Sequence, residues 1–357
     1  MNTDNGLQSQ TSPRSVAWQV GRHGEVAGGM TQVVNGYLGW RFANFDVGVI
    51  TSRDGSKGFR AASLFFRALV GILKLRDVRR HVLVVHLSQG GSFVREGLLL
   101  LLARARGFGT VAHIHGSRFV DFANRQSWLV GKVLPAATKV IVLSRATHDA
   151  VCRFVPASRV ELVPNAVPEG QPKRKERLVV FGGSVSSRKG IDVLVEAWRS
   201  VGCGSGWKLV IAGPVLDSTV VPESLTDAEF VGAVPHRSLM EFLDRSAIAV
   251  LPSRDEAMPM FILEAMGRNN CVISTKVGGI PAVLADGRGI LVDAGNADQL
   301  AAALATAMGD DAYRETIARV GRQAFDEEFS AKTIYPRVEL LWSEVLASPL
   351  PAAAARN

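Results

Sequence analysis

Two glutamates eight positions apart, Glu256 and Glu264, bracket a proline-started helical stretch within SRDEAMPMFILEAM (253–266). Pro259 suits a first helical position, because it has no N–H to leave unpaired and its φ is preset. The turn ahead of it then presents bare backbone amides. With the positive end of the helix they suit a diphosphate or the hydroxyls of a bound sugar. Glu256 falls in the loop and Glu264 inside the helix. An arbitrary pair of this kind is usually two solvated surface acids, but the setting argues otherwise. Apolar AIAVL (247–251) before the loop and CVIST (271–275) after the helix make a β–loop–α–β unit. The glutamates then stand at a strand's carboxyl end, where open α/β sheets bind ligands.

A second constellation is FGGSVSSRKGIDVLVEAWR (181–199), read as a strand, a Gly/Ser loop and a helix with Ile191, Leu194, Val195 and Trp198 on one face. Arg188 and Lys189 stand at the helix start, where cations are unfavourable unless an anion binds there or a charge partner lies elsewhere. The loop is neither GxGxxG with a following acid nor GxxxxGK[ST], so hydride transfer and ATP hydrolysis both lose ground. HIHGS (113–117) closes a strand and leaves His115 at its carboxyl end, either as a ligand-facing group or as a satisfied core histidine. Gly28–Gly29 precedes a helical pattern from Thr31 and permits close backbone approach to a ligand.

These groups need a scaffold, and the periodicity supplies one. Strands are predicted at 16–20, 47–51, 82–86, 110–114 and 139–143, then at 178–181, 208–212, 247–251 and 271–275, with helical patterns between them. Residues 163–175 (VPNAVPEGQPKRK) break the pattern as a linker does. A length of 357 residues, 47% hydrophobic and 21% charged, fits two α/β domains with a ligand cleft between them. Cys152, Cys203 and Cys271 are far apart and form no CxxC pair, so neither a disulfide framework nor a zinc site is expected, and a reducing cytoplasm is the natural home. The polar start lacks a signal-peptide core and no apolar run is long enough to span a membrane. The net charge of +8 gathers partly on segments carrying Arg67, Lys74, Arg76, Arg79, Arg80, Arg95, Arg104 and Arg106. Such a face suits anionic lipid, nucleic acid or phosphorylated substrates, or is simply solvated.

The ordered series of Gly28–Gly29, the HG turn at His115, Leu143–Ser144, VPNAV, RKG, AGP (212–214), PSRDEAMP…LEAM and VGGIP (277–281) resembles the retaining glycosyltransferases of family 4 over nearly the whole chain. The resemblance implies a GT-B fold, α/β, of two Rossmann-like doubly wound domains. Residues 15–168 would form the acceptor domain, 169–177 the linker and 178–330 the nucleotide-sugar domain. Residues 331–347 would form a helix returning to the first domain, between loose ends at 1–14 and 348–357. It implies that Lys189 neutralises the donor diphosphate, Glu264 holds the ribose hydroxyls, and Glu256 faces the donor sugar with His115 nearby. Met258, Pro259, Met260 and Phe261 would line the loop through their backbones, Gly213 and Val234 would border the base, and Gly28 and Gly29 would approach the donor. Arg118 would touch the acceptor. Many members carry an arginine where this chain has Gly183, and Arg188 is the expected substitute. No metal, no cofactor and no nucleic-acid partner are expected, and no DxD-like pair stands at a strand end. The donor is GDP-mannose or a UDP-hexose; the acceptor is a saccharide, lipid-linked or soluble, in surface-glycan synthesis, with peripheral membrane contact through the basic first domain. The rivals are a GT-B-fold epimerase or phosphorylase and a non-catalytic nucleotide-sugar-binding partner.

Overall fold

The computed structural model describes residues 14–24, 28–56, 58–171 and 173–348. Of the ends expected to be loose, all but Arg14 and Ser348 lie outside those residues, as do 25–27 of the first glycine loop.

Two six-stranded parallel sheets carry the molecule. The first holds β1 (Ser15–Gly21), β2 (Phe45–Thr51), β3 (His81–Leu87), β4 (Gly109–Ile114), β5 (Lys139–Val142) and β6 (Val160–Leu162), in the order β2-β1-β3-β4-β5-β6. Its helices are α1 (Gly29–Gly39), α2 (Gly58–Lys74), α3 (Gly91–Ala105), α4 (Phe119–Arg125), α5 (Ser127–Val133) and α6 (Arg145–Val151). The second holds β7 (Glu176–Gly182), β8 (Lys208–Ala212), β9 (Ala228–Gly232), β10 (Ser246–Leu251), β11 (Cys271–Thr275) and β12 (Ile290–Val292), in the order β12-β11-β10-β7-β8-β9. With it come α7 (Ile191–Val201), α8 (His236–Arg245), α9 (Met260–Met266), α10 (Ile280–Leu284), α11 (Ala297–Gly309) and α12 (Asp311–Ala324), and α13 (Ala331–Ala347) ends the described chain. This is the α/β class, with two doubly wound units, that the alternating patterns predict.

Helices cover both faces of each sheet, so the central strands read as continuous apolar runs rather than alternations; β10 (SAIAVL) is buried throughout. Three strands escape the sequence reading. β6 and β12 are three residues long, and β9 (AEFVG) is a half-buried edge strand, so none offers a period to detect. One apolar core lies under α2, α3 and α5 on one face of the first sheet. The other runs from the opposite face through α13 into the second sheet. α13 rests on β3 and β4. Its fully buried Trp342 lies 4.8 Å from the Phe42 ring and 5.7 Å from Tyr37. The proline-rich stretch is pinned as well, since the Ala331 N–H donates to the Val167 carbonyl at 2.9 Å.

Candidate functional site

The loop after β10 carries Glu256, whose side chain is almost fully buried against two donors. Lys189 Nζ forms an ion pair with Oε1, and Ser253 Oγ donates to the same oxygen at 2.8 Å. Lys189 reaches it from a single turn, Ser187–Lys189, placed between β7 and α7. Gly190 makes that approach possible, for its φ is +73° and a Cβ there would come within 1.9 Å of the Pro252 carbonyl oxygen. The charge partner left open by the sequence for Lys189 is therefore Glu256. Arg188 points to the same loop, donating through Nη1 to the Asp255 carbonyl at 2.9 Å. At Gly183, where the resemblance led to an expected arginine, Lys189 is the nearby cation, its Cε 3.7 Å from the position of a Cβ.

Pro259 is not the first helical residue. It is the N-cap of α9, with φ −73° and ψ 124°, an extended conformation, and the helix begins at Met260. Met260 and Phe261 turn their side chains into the core, and Met258 is clipped by Asn165, whose Nδ2 donates to the Met258 carbonyl at 3.0 Å. Glu264 lies inside α9, buried, with His236 Nε2 2.7 Å from its Oε1. That hydrogen bond raises the His236 pKa above its ordinary value. His236 opens α8 just after Val234, so this short segment faces Glu264 directly. Gly213 closes the same end of the sheet. Its φ is +150° and a Cβ would lie 1.8 Å from the Gly183 carbonyl oxygen, so only glycine lets the ends of β7 and β8 meet.

The first domain contributes three pieces. Gly29 begins α1 after Gly28, and a Cβ on it would sit 3.7 Å from Met260 Cγ, so the glycine turn faces α9 across the cleft. The HGS turn touches the glutamate loop, because Ser117 Oγ donates to Asp255 Oδ2 at 2.9 Å and Arg118 Nε lies 3.4 Å from the same oxygen. His115 directly follows β4, with its Nε2 2.8 Å from His86 Nδ1, and His86 Nε2 lies 2.9 Å from Gln19 Oε1. A carbonyl oxygen only accepts, so His86 carries its proton on Nε2, and its Nδ1 accepts from His115 Nε2–H. His115 is then the Nδ1-unprotonated tautomer. Burial, followed by the neighbouring imidazoles, pushes both rings well below the usual histidine range, which keeps them neutral at pH 7. His113 completes a group of three whose nitrogens lie within 4.8 Å of one another. The hydrogen-bonded chain runs through His115, His86 and Gln19 only; the His113 ring packs with its centroid 4.0 Å from that of His115, and neither of its buried nitrogens has a hydrogen-bond partner.

The site residues expected from the sequence thus stand on the loops after strands or, for Gly29, Met260, Phe261 and Glu264, on the helices that those loops start. Lys189 meets Glu256 directly, Gly29 meets Met260, and Arg118 reaches the glutamate loop, whereas Gly28 has no neighbour within 4 Å of an added Cβ. Gln19, His86, Ser117, His236, Ser253 and Asp255 were not anticipated. Ser117, Ser253 and Asp255 fall within the quoted HIHGS and SRDEAMP stretches without having been singled out, whereas Gln19, His86 and His236 lie outside every quoted motif.

Residues 164–324 match the family Glycosyl transferases group 1, and residues 35–171 match Glycosyltransferase Family 4. The alpha-maltose-1-phosphate synthase of Mycolicibacterium smegmatis is 29% identical over 243 residues, covering 57% of this chain and 62% of that protein. An uncharacterized glycosyltransferase of Methanocaldococcus jannaschii is 26% identical over 170 residues, 46% of this chain and 48% of its own. The chain spans about half the length of the curated relatives it matches. Among solved structures, sucrose-phosphate synthase of Thermosynechococcus elongatus superposes with a TM-score of 0.71 at 19% identity, covering 94% of this chain and all of that one. Anabaena HepE, solved with UDP and glucose, gives 0.68 at 15% identity, covering 93% and 100% of the two chains.

Proposed function

The chain belongs to the group 1, family 4 glycosyltransferases of GT-B fold, and on that premise we propose that it moves a hexosyl residue from a nucleoside-diphosphate sugar to a saccharide acceptor with retention of configuration. The observation that carries this reading is the meeting of Lys189, Ser253 and Glu256 at one carboxylate oxygen, beside a loop joined to the HGS turn by Ser117 and Asp255.

Departure of the diphosphate builds negative charge on its oxygens. Lys189 and Arg188, held on one loop by Glu256 and the Asp255 carbonyl, supply the cations that stabilise that charge. Glu256, held by Ser253, faces the sugar. Glu264 offers its carboxylate to the ribose hydroxyls, with His236 as the partner that orients it. His115, neutral and with an unprotonated Nδ1, suits accepting a hydrogen bond from a sugar hydroxyl better than countering charge. Attack comes from the face that the diphosphate leaves, and a phosphate oxygen takes the acceptor's proton, so no side chain is assigned as general base. The reaction runs without metal or cofactor. The donor is GDP-mannose or a UDP-hexose, and HepE's complex with UDP and glucose supports testing the uridine donors first. The acceptor is lipid-linked, at the cytoplasmic face of the membrane, in surface-polysaccharide synthesis; among the described residues no helix is long and apolar enough to cross a membrane.

Release of nucleoside diphosphate from a panel of UDP-, GDP- and ADP-sugars, with membrane lipid extract and EDTA, tests the proposal. Release from one donor that vanishes in Glu256→Ala is expected. Binding without release across several acceptors would favour the second reading, a non-catalytic nucleotide-sugar-binding partner, for which Gly183 in place of the usual arginine is the specific support.

A further inference from the structure

Helix α2 has more apolar surface than the fold uses. Ala68 and Ile72 are buried, and Phe65 and Leu69 pack beside them on the core. Phe59, Phe66, Val70 and Leu73 face out, with Phe59 90% and Phe66 65% exposed. Their spacing of seven, four and three residues makes one stripe along the helix. The adjoining α3 repeats the pattern with Val94, Leu98 and Leu101, and α5, packed against α3, adds Trp128 at 75% exposure. Eight of the fourteen exposed large apolar side chains among the described residues thus lie on three adjacent helices of one domain. An apolar face of this extent marks an interaction surface.

The charge around it identifies the partner. α2 carries Arg67 and Lys74, with Arg60 paired to Asp54 ahead of the helix, and no acid, and the sole acid of α3, Glu96, is buried. At the C-terminal end of α2 a recess of about 660 Å³ is lined by Lys74, Arg76, Arg79, Arg80 and Arg106, with Asp77 as its one acid. Exposed aromatic and aliphatic groups ringed by cations, beside a cationic recess with ample room for a lipid headgroup, match the interface of an anionic bilayer. A second copy of the chain fits poorly, since a self-complementary dimer would set this cationic face against itself.

We propose that α2, α3 and α5 form a membrane-docking face that inserts Phe59, Phe66, Leu98 and Trp128 at the acyl boundary of an anionic lipid leaflet while the basic recess takes lipid phosphate. Phe59, at the N-terminal end of α2, lies on the carboxyl-edge side of the sheet, the side of the HGS turn. The recess stands at the other end of α2, where the chain enters β3, so both touch lipid only when α2 lies flat on the surface, an orientation that sets the carboxyl edge with the HGS turn beside the membrane. The proposal extends the lipid-linked-acceptor reading, but its test needs neither donor nor acceptor, so the two fail separately.

Flotation of the full chain with vesicles of phosphatidylcholine alone, or with about one-third phosphatidylglycerol, reads the surface directly. The wild type is expected to float with the anionic vesicles and to be released by high salt. The triple variant Phe59→Ser/Phe66→Ser/Leu98→Ser should bind at least about tenfold more weakly, and Arg67→Glu/Lys74→Glu/Arg79→Glu should bind as weakly while keeping the apolar groups. Melting temperatures matching wild type certify the folds, and one folded variant suffices for the comparison. A wild type that stays unbound, an apolar triple variant that floats like wild type, or a concentration-dependent dimer dissolved by the same substitutions would each overturn the proposal.

Discussion

His86 Nδ1 and His115 Nε2 lie 2.8 Å apart, and the proton between them belongs to His115, because Gln19 Oε1 claims the proton on the other nitrogen of His86. Gln19 is itself oriented by its Nε2 donating to the Ala17 carbonyl at 3.4 Å. A buried amide two residues removed from the ligand thus sets which nitrogen His115 leaves bare. His86→Leu, closer to the imidazole in volume than Phe, removes the acceptor and frees the tautomer of His115. It should lower kcat by about tenfold, the value of one well-placed hydrogen bond, with KM for the donor nearly unchanged. A rise in KM with kcat unchanged would show that His86 acts on donor binding and not on the reacting state.

The same imidazoles tie stability to pH. Burial pushes His113 down to about 3 and His86 well below 6.5, so between those values the unfolded chain binds protons that the folded chain refuses. Stability is therefore full above pH 6.5 and falls as pH drops toward 3, by up to about 1.4 kcal/mol per pH unit for each histidine that stays neutral. His236 has the opposite sign, since its raised pKa adds stability below 6.5 that is lost as pH rises. Urea midpoints at pH 7.5 and 5.5 should differ clearly in wild type and differ less in His113→Phe.

Lys189→Met should cut kcat/KM roughly a hundredfold to a thousandfold by removing the cation meant for the diphosphate. It also strands Glu256, whose remaining partner at Oε1 is Ser253. Lys189→Met/Glu256→Gln should therefore recover part of any stability lost in the single variant. Chemical denaturation of the four proteins of this cycle gives the coupling, and strict additivity would mean that the two side chains do not communicate.

The loop positions of Glu256, Lys189 and His115 were legible because each lies on a loop that follows a strong apolar run, and Glu264 because it falls in the helical stretch after the Glu256 loop. Pro259 was misread by one position for a local reason. Proline fixes φ, here −73°, which helix and extended chain share, while ψ at 124° decides between them and no residue type encodes it. His86, Asp255 and Ser117 were invisible as site residues because their partners lie 29 or 138 positions away, and nothing in local spacing records such contacts. The outward stripe of α2 was read as charge rather than as surplus hydrophobicity, since only packing shows which apolar residues the core leaves over.

Gly213→Ala should destabilise the fold by about 2 kcal/mol or more, as both the φ of +150° and the 1.8 Å approach to the Gly183 carbonyl oxygen exclude a Cβ. The β7 and β8 ends must part to admit it, so donor affinity should fall along with the melting temperature. Gly204→Ala is the matched control. It too has positive φ, but no atom stands within 4 Å of its Cβ position, so it should show the backbone cost without the loss of donor binding.

Asp255 separates the two kinds of contact across the cleft. Its Oδ2 accepts from Ser117 at 2.9 Å and pairs with Arg118 at 3.4 Å, but the Arg118 side chain is two-thirds exposed, so solvent and salt screen that pair. The hydroxyl hydrogen bond needs only an acceptor. Asp255→Asn, with its amide oxygen toward Ser117, should keep kcat/KM within about threefold of wild type. Asp255→Leu removes the acceptor and should cost about tenfold, because the loop that aims Glu256 then loses its tie to the turn that aims His115. Steady-state kinetics of the two variants at low and high salt distinguishes the cases. If both lose activity equally, and wild type approaches them at high salt, the ion pair rather than the hydrogen bond aligns the two domains.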